Sequence, residues 1–163
     1  MRYAALLRAV NVGGKNAVPM AALRETLEKA GFTRVQTLLQ SGNVALDTPL
    51  PRAEAMASLR GAFAEKFGFS CGTLFFSADE WERMVANLPF TRAQVEEAEA
   101  AQPETEHLYA YLLEHSPDTA RLARVADAAE EGDRFAPGER AIYLLCRRSV
   151  RLSKTAARIS ALF

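Results

Sequence analysis

The stretch RYAALLRAVNVGGKN, residues 2–16, decides how the first half of the chain folds. Residues 2–10 alternate between two faces, which is the period of a β-strand. A Gly-Gly pair then interrupts the alternation, and Pro19 suits the first turn of a helix that we predict over residues 19–30. The sequence therefore predicts a strand, a glycine loop and a helix, in that order.

The order continues to a complete module by residue 77. A hairpin of two strands, a second helix and a fourth strand follow, and they are predicted at 35–40, 43–47, 52–67 and 69–76. The hairpin turn is assigned to Ser41 and Gly42, a pair that suits a tight connection. The order βαββαβ is that of ferredoxin-like modules. We therefore expect an α+β fold whose first ferredoxin-like module, with an antiparallel sheet, spans residues 1–77.

The second half repeats this plan but stops one strand short. Its strand, helix, hairpin and last helix are predicted at 107–114, 117–130, 134–136 with 140–146, and 153–162. Ser116 is the predicted N-cap of the first of these helices, because Pro117 would then occupy the first helical position. We predict a second, incomplete ferredoxin-like module (βαββα) over residues 106–163.

Residues 78–105, between the two modules, lack strand alternation. Ser77 and Thr91 each begin a capping-box sequence, which predicts that helices start there. We therefore expect a helical connector. Much of the negative charge lies here, while both ends of the chain are basic. Three explanations of this charge segregation stay open: electrostatic complementarity within the chain, a surface that faces an anion, and solvated helix faces.

The composition is that of an ordinary globular protein. Hydrophobic residues make up 49% and charged residues 25% of the 163-residue chain. No apolar run reaches the roughly 18 residues of a membrane span, and Arg8 interrupts the first apolar stretch. We expect a soluble, cytoplasmic protein with no membrane association, and the sequence does not fix its oligomeric state.

The opening segment YAALLRAVNVGGKNAVPMAALRETLEKAGFTRVQTLLQSGNV closely resembles a bacterial family of uncharacterised proteins, domain of unknown function 1697. The similarity is close over residues 3–46 and continues more loosely through FFSADEW, NLPF and HLYAYLLE to the SKTAARIS helix. It implies the two-module ferredoxin-like architecture and no established activity.

Two departures from the family pattern bear on the loop and on the second module. The family usually has glycine where this chain has Ala9, which leads us to expect a relaxed backbone before the loop. It usually continues beyond the last helix with a segment that would form an eighth strand. We expect any site lined by that segment to be incomplete in this chain.

Glycines and polar side chains gather at one predicted edge of the first sheet. A right-handed crossover makes the first two strands parallel, so the loop after one and the turn after the other share an edge. The glycines can present backbone N–H groups and Lys15 adds a positive charge, so the predicted partner is a small anionic ligand. The candidate ligand-binding residues are Arg8, Asn11, Gly13, Gly14, Lys15, Asn16, Gln40, Ser41 and Asn43.

Two interpretations of this edge stay open, a binding or regulatory site and a purely structural turn. The loop is not a phosphate-binding P-loop, because Ala9 and Asn16 stand where that motif needs glycine and serine or threonine. Pro19 also starts the helix several residues beyond Lys15, so the helix dipole is not aimed at the glycines. The glycines equally allow a sharp strand-to-helix connection that asparagine and serine side chains cap.

Other classes of function receive less support. No complete catalytic constellation is visible, so a small enzyme acting on a phosphate- or acyl-containing compound is an alternative without assigned catalytic residues. His107 and His115 have no carboxylate or cysteine at ligand spacing, which predicts no metal site, and no cofactor is predicted. Cys71 and Cys146 lie in apolar runs and are predicted to be buried free thiols.

Interaction with a macromolecule is a separate set of alternatives. RNA-recognition modules stack bases on aromatic side chains of the central strands, and the predicted third strand here has none. The formal net charge is also zero, so nucleic acid is disfavoured as a partner. A protein–protein interaction module that pairs through sheet edges is the remaining alternative.

Overall fold

The computed structural model describes all 163 residues of the chain, Met1 to Phe163. The fold is mixed α/β, and the chain divides into two compact units, Met1–Glu82 and Arg83–Phe163. The strands are β1 (Arg2–Leu7), β2 (Thr33–Leu38), β3 (Asn43–Asp47), β4 (Thr73–Ser77), β5 (Leu108–Leu112), β6 (Arg134–Pro137) and β7 (Ala141–Leu145). The helices are α1 (Met20–Lys29), α2 (Arg52–Phe67), α3 (Ala78–Ala86), α4 (Arg92–Ala101), α5 (Thr119–Ala126) and α6 (Lys154–Leu162), with a 3-10 turn at Val150–Leu152.

The first unit contains a four-stranded sheet in the order β2-β3-β1-β4. All neighbouring strands are antiparallel, as predicted. β3 lies between β1 and β2, which makes those two strands parallel to each other and places their carboxyl ends at one edge. Leu6 pairs with Asn43, so β1 ends beside the start of β3.

The core of the first unit lies between this sheet and two helices. Tyr3, Ala5 and Leu7 alternate with more exposed residues along β1 and are buried, which is the period expected of a strand with one covered face. Leu23 of α1 and Phe63 of α2 are fully buried in the same cluster. Burial of each large apolar side chain contributes about 1.5–3 kcal/mol, so this packing fixes the position of the strand ends.

The first unit differs from the predicted bounds mainly at the ends of its strands, and β4 begins at Thr73 instead of Phe69. β1 ends at Leu7 rather than three residues later, because Ala9 has a φ of 60°, which no strand residue adopts. β2 ends at Leu38, so the hairpin turn takes four residues, 39–42, instead of a Ser-Gly pair. Helix α2 has the predicted bounds, 52–67.

The second unit contains a three-stranded antiparallel sheet in the order β5-β7-β6. Every residue of β7 is buried. This strand lies in the centre of the sheet, with β5 on one side and β6 on the other. Val125 of α5 and Ile159 of α6 are fully buried in the adjoining core. The predicted hairpin and last helix are both present.

The start of α5 differs from the prediction. Asp118, not Ser116, is the N-cap, and its Oδ1 accepts a hydrogen bond from the backbone N–H of Arg121 at 2.8 Å. Pro117 therefore precedes the cap instead of occupying the first helical position. Aspartate is as good an N-cap residue as serine. Pro117 favoured Ser116 in the sequence, but Asp118 is the residue that caps the helix.

Both predicted capping boxes are formed. The Oγ of Ser77 accepts a hydrogen bond from the Glu80 N–H at 3.2 Å, and the Glu80 carboxylate accepts one from the Ser77 N–H at 2.8 Å. Thr91 and Gln94 make the same reciprocal pair at the start of α4.

The division of the chain into residues 1–77, 78–105 and 106–163 stays a prediction. None of the helices combines the length and apolar character that crossing a bilayer requires.

Candidate functional site

The loop after β1 folds into a small hairpin of its own. The Lys15 N–H donates a hydrogen bond to the carbonyl oxygen of Val12 at 3.1 Å. Between these residues Gly13 and Gly14 have φ values of 59° and 73°. Two successive positive values define a type I′ turn, which glycine adopts without strain. The glycines are therefore required by the turn itself and stand at its exposed tip.

The Asn11 side chain clamps this hairpin to its surroundings. Its Oδ1 accepts a hydrogen bond from the Val18 N–H at 2.7 Å, and its Nδ2 donates to the carbonyl oxygens of Val18 and Gln40, both at 2.9 Å. Both amide donors are therefore occupied. Asn11 joins the loop to the β2–β3 turn and positions the site, and its N–H groups are not available to a ligand.

Asn16 closes the base of the hairpin. Its Nδ2 donates to the carbonyl oxygen of Ala9 at 3.0 Å, and its own carbonyl oxygen accepts from the Asn11 N–H at 3.1 Å. Both asparagines have positive φ, which this residue type tolerates, whereas Ala9 at 60° is strained by roughly 1–2 kcal/mol. The expectation of a relaxed backbone at Ala9 is therefore wrong, because the position keeps a conformation that favours glycine.

Gly42 allows the β2–β3 turn to approach the end of β1. Its carbonyl oxygen accepts a hydrogen bond from the Leu7 N–H at 3.0 Å. A Cβ at this position would stand 2.4 Å from Cγ2 of Val10 and 3.2 Å from the carbonyl oxygen of Leu7, and φ is +80°. Glycine is the residue that fits both the conformation and the contact. Residues 8–16 and 38–43 consequently form one continuous surface, which we call the rim.

Two cations of the rim have no partner within the chain. Neither the Lys15 ammonium nor the Arg8 guanidinium makes an ion pair or a side-chain hydrogen bond, and both residues are exposed. The Arg8 stem passes over Gly72, whose carbonyl oxygen accepts the Arg8 N–H at 2.7 Å. The rim contains no aspartate or glutamate. Its electrostatic potential is therefore positive at neutral pH.

Arg24 adds a third positive charge close to the rim. It lies one turn into α1, and its Nη1 donates to Oγ1 of Thr37 at 2.6 Å, next to the last residue of β2. Its partner is a neutral hydroxyl, so the charge is not cancelled. The sequence interpretation missed Arg24. Its place one turn into a crossover helix, facing the strand ends, is the signal that could have found it.

Three large apolar side chains of the rim are exposed to solvent. Val12 is 65% exposed, Leu38 61% and Leu39 80%. Leu39 also has a φ of 53°, a left-handed conformation that is uncommon for leucine. The sequence interpretation placed these residues in the strands and the loop and did not count them as site residues.

The predicted site residues thus separate into three groups. Asn11 and Asn16 hold the loop, while Ser41 makes a local hydrogen bond to the carbonyl oxygen of Leu38 at 3.4 Å. Asn43 is part of β3 and only partly exposed. The remaining residues are exposed and have side chains or amide groups free to meet a ligand: Arg8, Gly13, Gly14, Lys15 and Gln40.

The buried histidine of the second unit has a structural role. Nδ1 of His107 lies 2.7 Å from the carbonyl oxygen of Cys146, and Nε2 lies 3.0 Å from that of Gln102. These contacts join the end of α4 to the end of β7. A cluster of three or more histidine, cysteine, aspartate or glutamate side chains that could hold a metal ion is not found.

Both cysteines are free thiols. Burial raises the pKa of Cys146 to about 11, and it also raises the pKa of Cys71. A thiol with a raised pKa is rarely deprotonated and is a poor nucleophile. Neither cysteine has the environment of a catalytic nucleophile.

Three surface cavities lie away from the rim and are lined by charges of both signs. One of about 390 Å³ lies between α1 and α2 and includes Lys29 and Glu65. Two in the second unit, of about 290 and 480 Å³, share Arg147, and each also includes at least one glutamate. Each of the three cavities therefore holds both basic and acidic side chains, which gives no preference for a charged ligand.

Residues 1–143 match the sequence profile of the family described as "Protein of unknown function (DUF1697)". The chain belongs to this family. No curated protein is similar enough to count as a match. Membership of the family agrees with the resemblance of the opening segment and assigns no activity.

A solved structure has a similar fold. The chain is 25% identical to the conserved bacterial protein SP0830 from Streptococcus pneumoniae, with a TM-score of 0.73. The similarity covers 96% of this chain and 83% of that one. The similarity therefore extends over both units.

Proposed function

We propose that the protein is a binding or regulatory module and that its rim binds a small anion carrying a phosphate or carboxylate group. The observation that carries this proposal is the exposed tip of the loop hairpin. There the Lys15 ammonium and the backbone N–H groups of Gly13 and Gly14 have no partner within the chain. Unpaired donors at a rigid turn are suited to bind an anion.

The surroundings of this tip support an anion over a cation or a neutral ligand. Arg8 and Arg24 add positive charge, and the rim has no carboxylate that would compete for Lys15. Asn11 holds the hairpin against the β2–β3 turn, so the backbone N–H groups of Gly13 and Gly14 are pre-organised and lose little entropy on binding. Charge-assisted hydrogen bonds from such donors are the stronger kind.

We also infer that each unit is a ferredoxin-like module, the second one lacking a strand. The element order βαββαβ and the sheet order β2-β3-β1-β4 of the first unit support this inference. The βαββα order and the sheet order β5-β7-β6 support it for the second. In this arrangement the rim is the edge where the parallel strands β1 and β2 both end.

The proposal is tested by isothermal titration of the protein with inorganic phosphate, acetate and a nucleoside diphosphate at low ionic strength. We expect at least one of these anions to bind saturably. Lys15→Ala should weaken that binding by about 10- to 150-fold, since one charge-assisted hydrogen bond is worth about 1.5–3 kcal/mol. The matched control is Lys66→Ala, which removes an exposed lysine from α2. Equal weakening by both variants, or no saturable binding, would contradict the proposal.

A further inference from the structure

We infer that the anion bound by the rim carries an apolar group, such as an alkyl or acyl chain, that lies against Val12, Leu38 and Leu39. This inference rests on the proposed function and names the class of its ligand. Large apolar side chains at 61–80% exposure are left in water on the same surface that offers unpaired cations. An amphiphilic anion is the ligand that satisfies both features at once.

The pairing within the loop hairpin places an apolar and a charged side chain together. Val12 and Lys15 form an antiparallel bridge across the Gly-Gly turn. Directly opposite residues of an antiparallel pair have side chains on the same face, with Cβ atoms about 5 Å apart. The apolar side chain of Val12 therefore lies on the same face of the hairpin as the Lys15 side chain.

The β2–β3 hairpin repeats this arrangement. Leu38 is paired directly with Asn43, so an exposed apolar side chain again stands beside a polar one. The hydrogen bond from Asn11 to the Gln40 carbonyl oxygen, at 2.9 Å, joins the two hairpins. A head group at Lys15 and an apolar chain across Leu38 can therefore occupy one surface.

Leu39 gives an independent reason to assign a ligand to this surface. It has a φ of 53° and is 80% exposed, so its conformation is strained while its side chain gains no burial. Turns that need positive φ ordinarily use glycine or asparagine, which adopt it readily. Leu39 combines a strained backbone with an exposed apolar side chain. Strained residues of this kind cluster at binding surfaces.

The test compares matched ligands with and without an apolar chain. Inorganic phosphate is compared with butyl and hexyl phosphate, and acetate with hexanoate, all below the concentrations at which they aggregate, by isothermal titration. We expect affinity to rise with each added methylene, by up to about fourfold. Hexanol serves as the ligand without an anionic head and is expected to bind too weakly to measure.

Two variants separate the apolar contact from the anion contact. Leu39→Asn keeps a residue that tolerates positive φ, so we expect it to retain phosphate binding and to lose much of the dependence on chain length. Lys15→Ala is expected to weaken the binding of the ligands with and without an apolar chain by the same factor. Leu152→Asn, at a leucine of the second unit that is 62% exposed, is the matched control and should behave as the wild type.

The outcomes distinguish this inference from the proposed function. If phosphate binds but hexyl phosphate binds no more tightly, the inference is overturned and the anion site stands. If Leu39→Asn keeps the full dependence on chain length, or if hexanol binds as well as hexyl phosphate, the inference is also overturned. If none of the anions binds saturably, the proposed function fails and the inference fails with it.

Discussion

At the scale of single residues, the loop after β1 depends on backbone conformations that few side chains accept. Ala9, Asn11, Gly13, Gly14 and Asn16 all have positive φ, which puts five such residues within eight positions. Glycine and asparagine adopt this region at little cost, and alanine does not. Ala9 is therefore the strained member of the set.

Ala9→Gly is expected to stabilise the protein. The variant removes the strain of a left-handed alanine, and the greater freedom of glycine in the unfolded chain offsets part of that gain. We expect a net increase of about 0.5–1 kcal/mol in the free energy of unfolding, measured by urea denaturation. Ala17→Gly, at a nearby exposed position without positive φ, should lower it instead. A loss of stability in Ala9→Gly as large as in Ala17→Gly would contradict the account.

Asp47 gives the first unit a dependence on pH. Burial tends to raise the pKa of Asp47, but the hydrogen bonds from Arg34 and Arg2 outweigh it, so the pKa lies below its usual range. A carboxylate whose folded-state pKa is depressed stabilises the fold fully above its unfolded-state pKa, about 4. That stabilisation is lost as the pH falls through the folded-state pKa.

We therefore expect wild type to be more stable than Asp47→Asn at pH 7, with a difference that shrinks as the pH falls below about 4. Urea denaturation at a series of pH values measures this difference. The control Glu65→Gln alters an exposed carboxylate of α2 that lacks an arginine partner and should change stability little. A gap between Asp47→Asn and wild type that stays constant from pH 7 to pH 2.5 would show that the ion pairs do not act as described.

At the scale of elements, the close approach of the two hairpins produces the rim. Gly42 places the β2–β3 turn against Leu7 and Val10, and Asn11 adds a hydrogen bond across the contact. The first of these interactions is a steric fit and the second is a hydrogen bond. The steric fit tolerates substitution less well, because a Cβ on residue 42 would collide with the Val10 side chain and crowd the Leu7 backbone.

Gly42→Ala is expected to lower the free energy of unfolding by about 2–4 kcal/mol, combining left-handed strain with overpacking. Gly14→Ala is the matched control, because its φ of +73° is similar but no atom lies within 4 Å of its added Cβ. That variant should lose only about 1–2 kcal/mol, the cost of strain alone. Denaturation of both variants measures the difference, and equal losses would show that the contact of Gly42 with Val10 contributes nothing.

At the scale of the whole molecule, the sequence predicted the elements better than their ends. Strand alternation and helical spacing identified two antiparallel sheets and the helices that cover them, since burial of one face imposes those periods. The start of α4, which has no buried residue, was identified by its capping box instead. The right-handed crossover also predicted that the loop after β1 and the β2–β3 turn share an edge, and the hydrogen bond from Asn11 to the Gln40 carbonyl oxygen joins them there. The predicted end of β1 was wrong because Ala9 has a positive φ. An alanine in a sequence gives no sign of that conformation, which is uncommon for residues other than glycine.

The roles of the site residues were less predictable than their location. Asn11 and Asn16 look like ligand-binding residues in the sequence, yet both are occupied by hydrogen bonds to the backbone. Those bonds depend on a fold that brings distant carbonyl groups within reach. Arg24 and the exposed Leu39 were missed because their exposure and partners are set by tertiary packing.

The most direct test of the rim as an anion site is a nuclear magnetic resonance titration of the ¹⁵N-labelled protein with phosphate. We predict that the amide signals of Gly13, Gly14 and Lys15 shift saturably with a common affinity, and that Lys15→Ala strongly reduces these shifts. The last part of the chain, residues 147–158, is the other concentration of positive charge. Shifts confined to those residues, with the loop signals unchanged, would contradict the account.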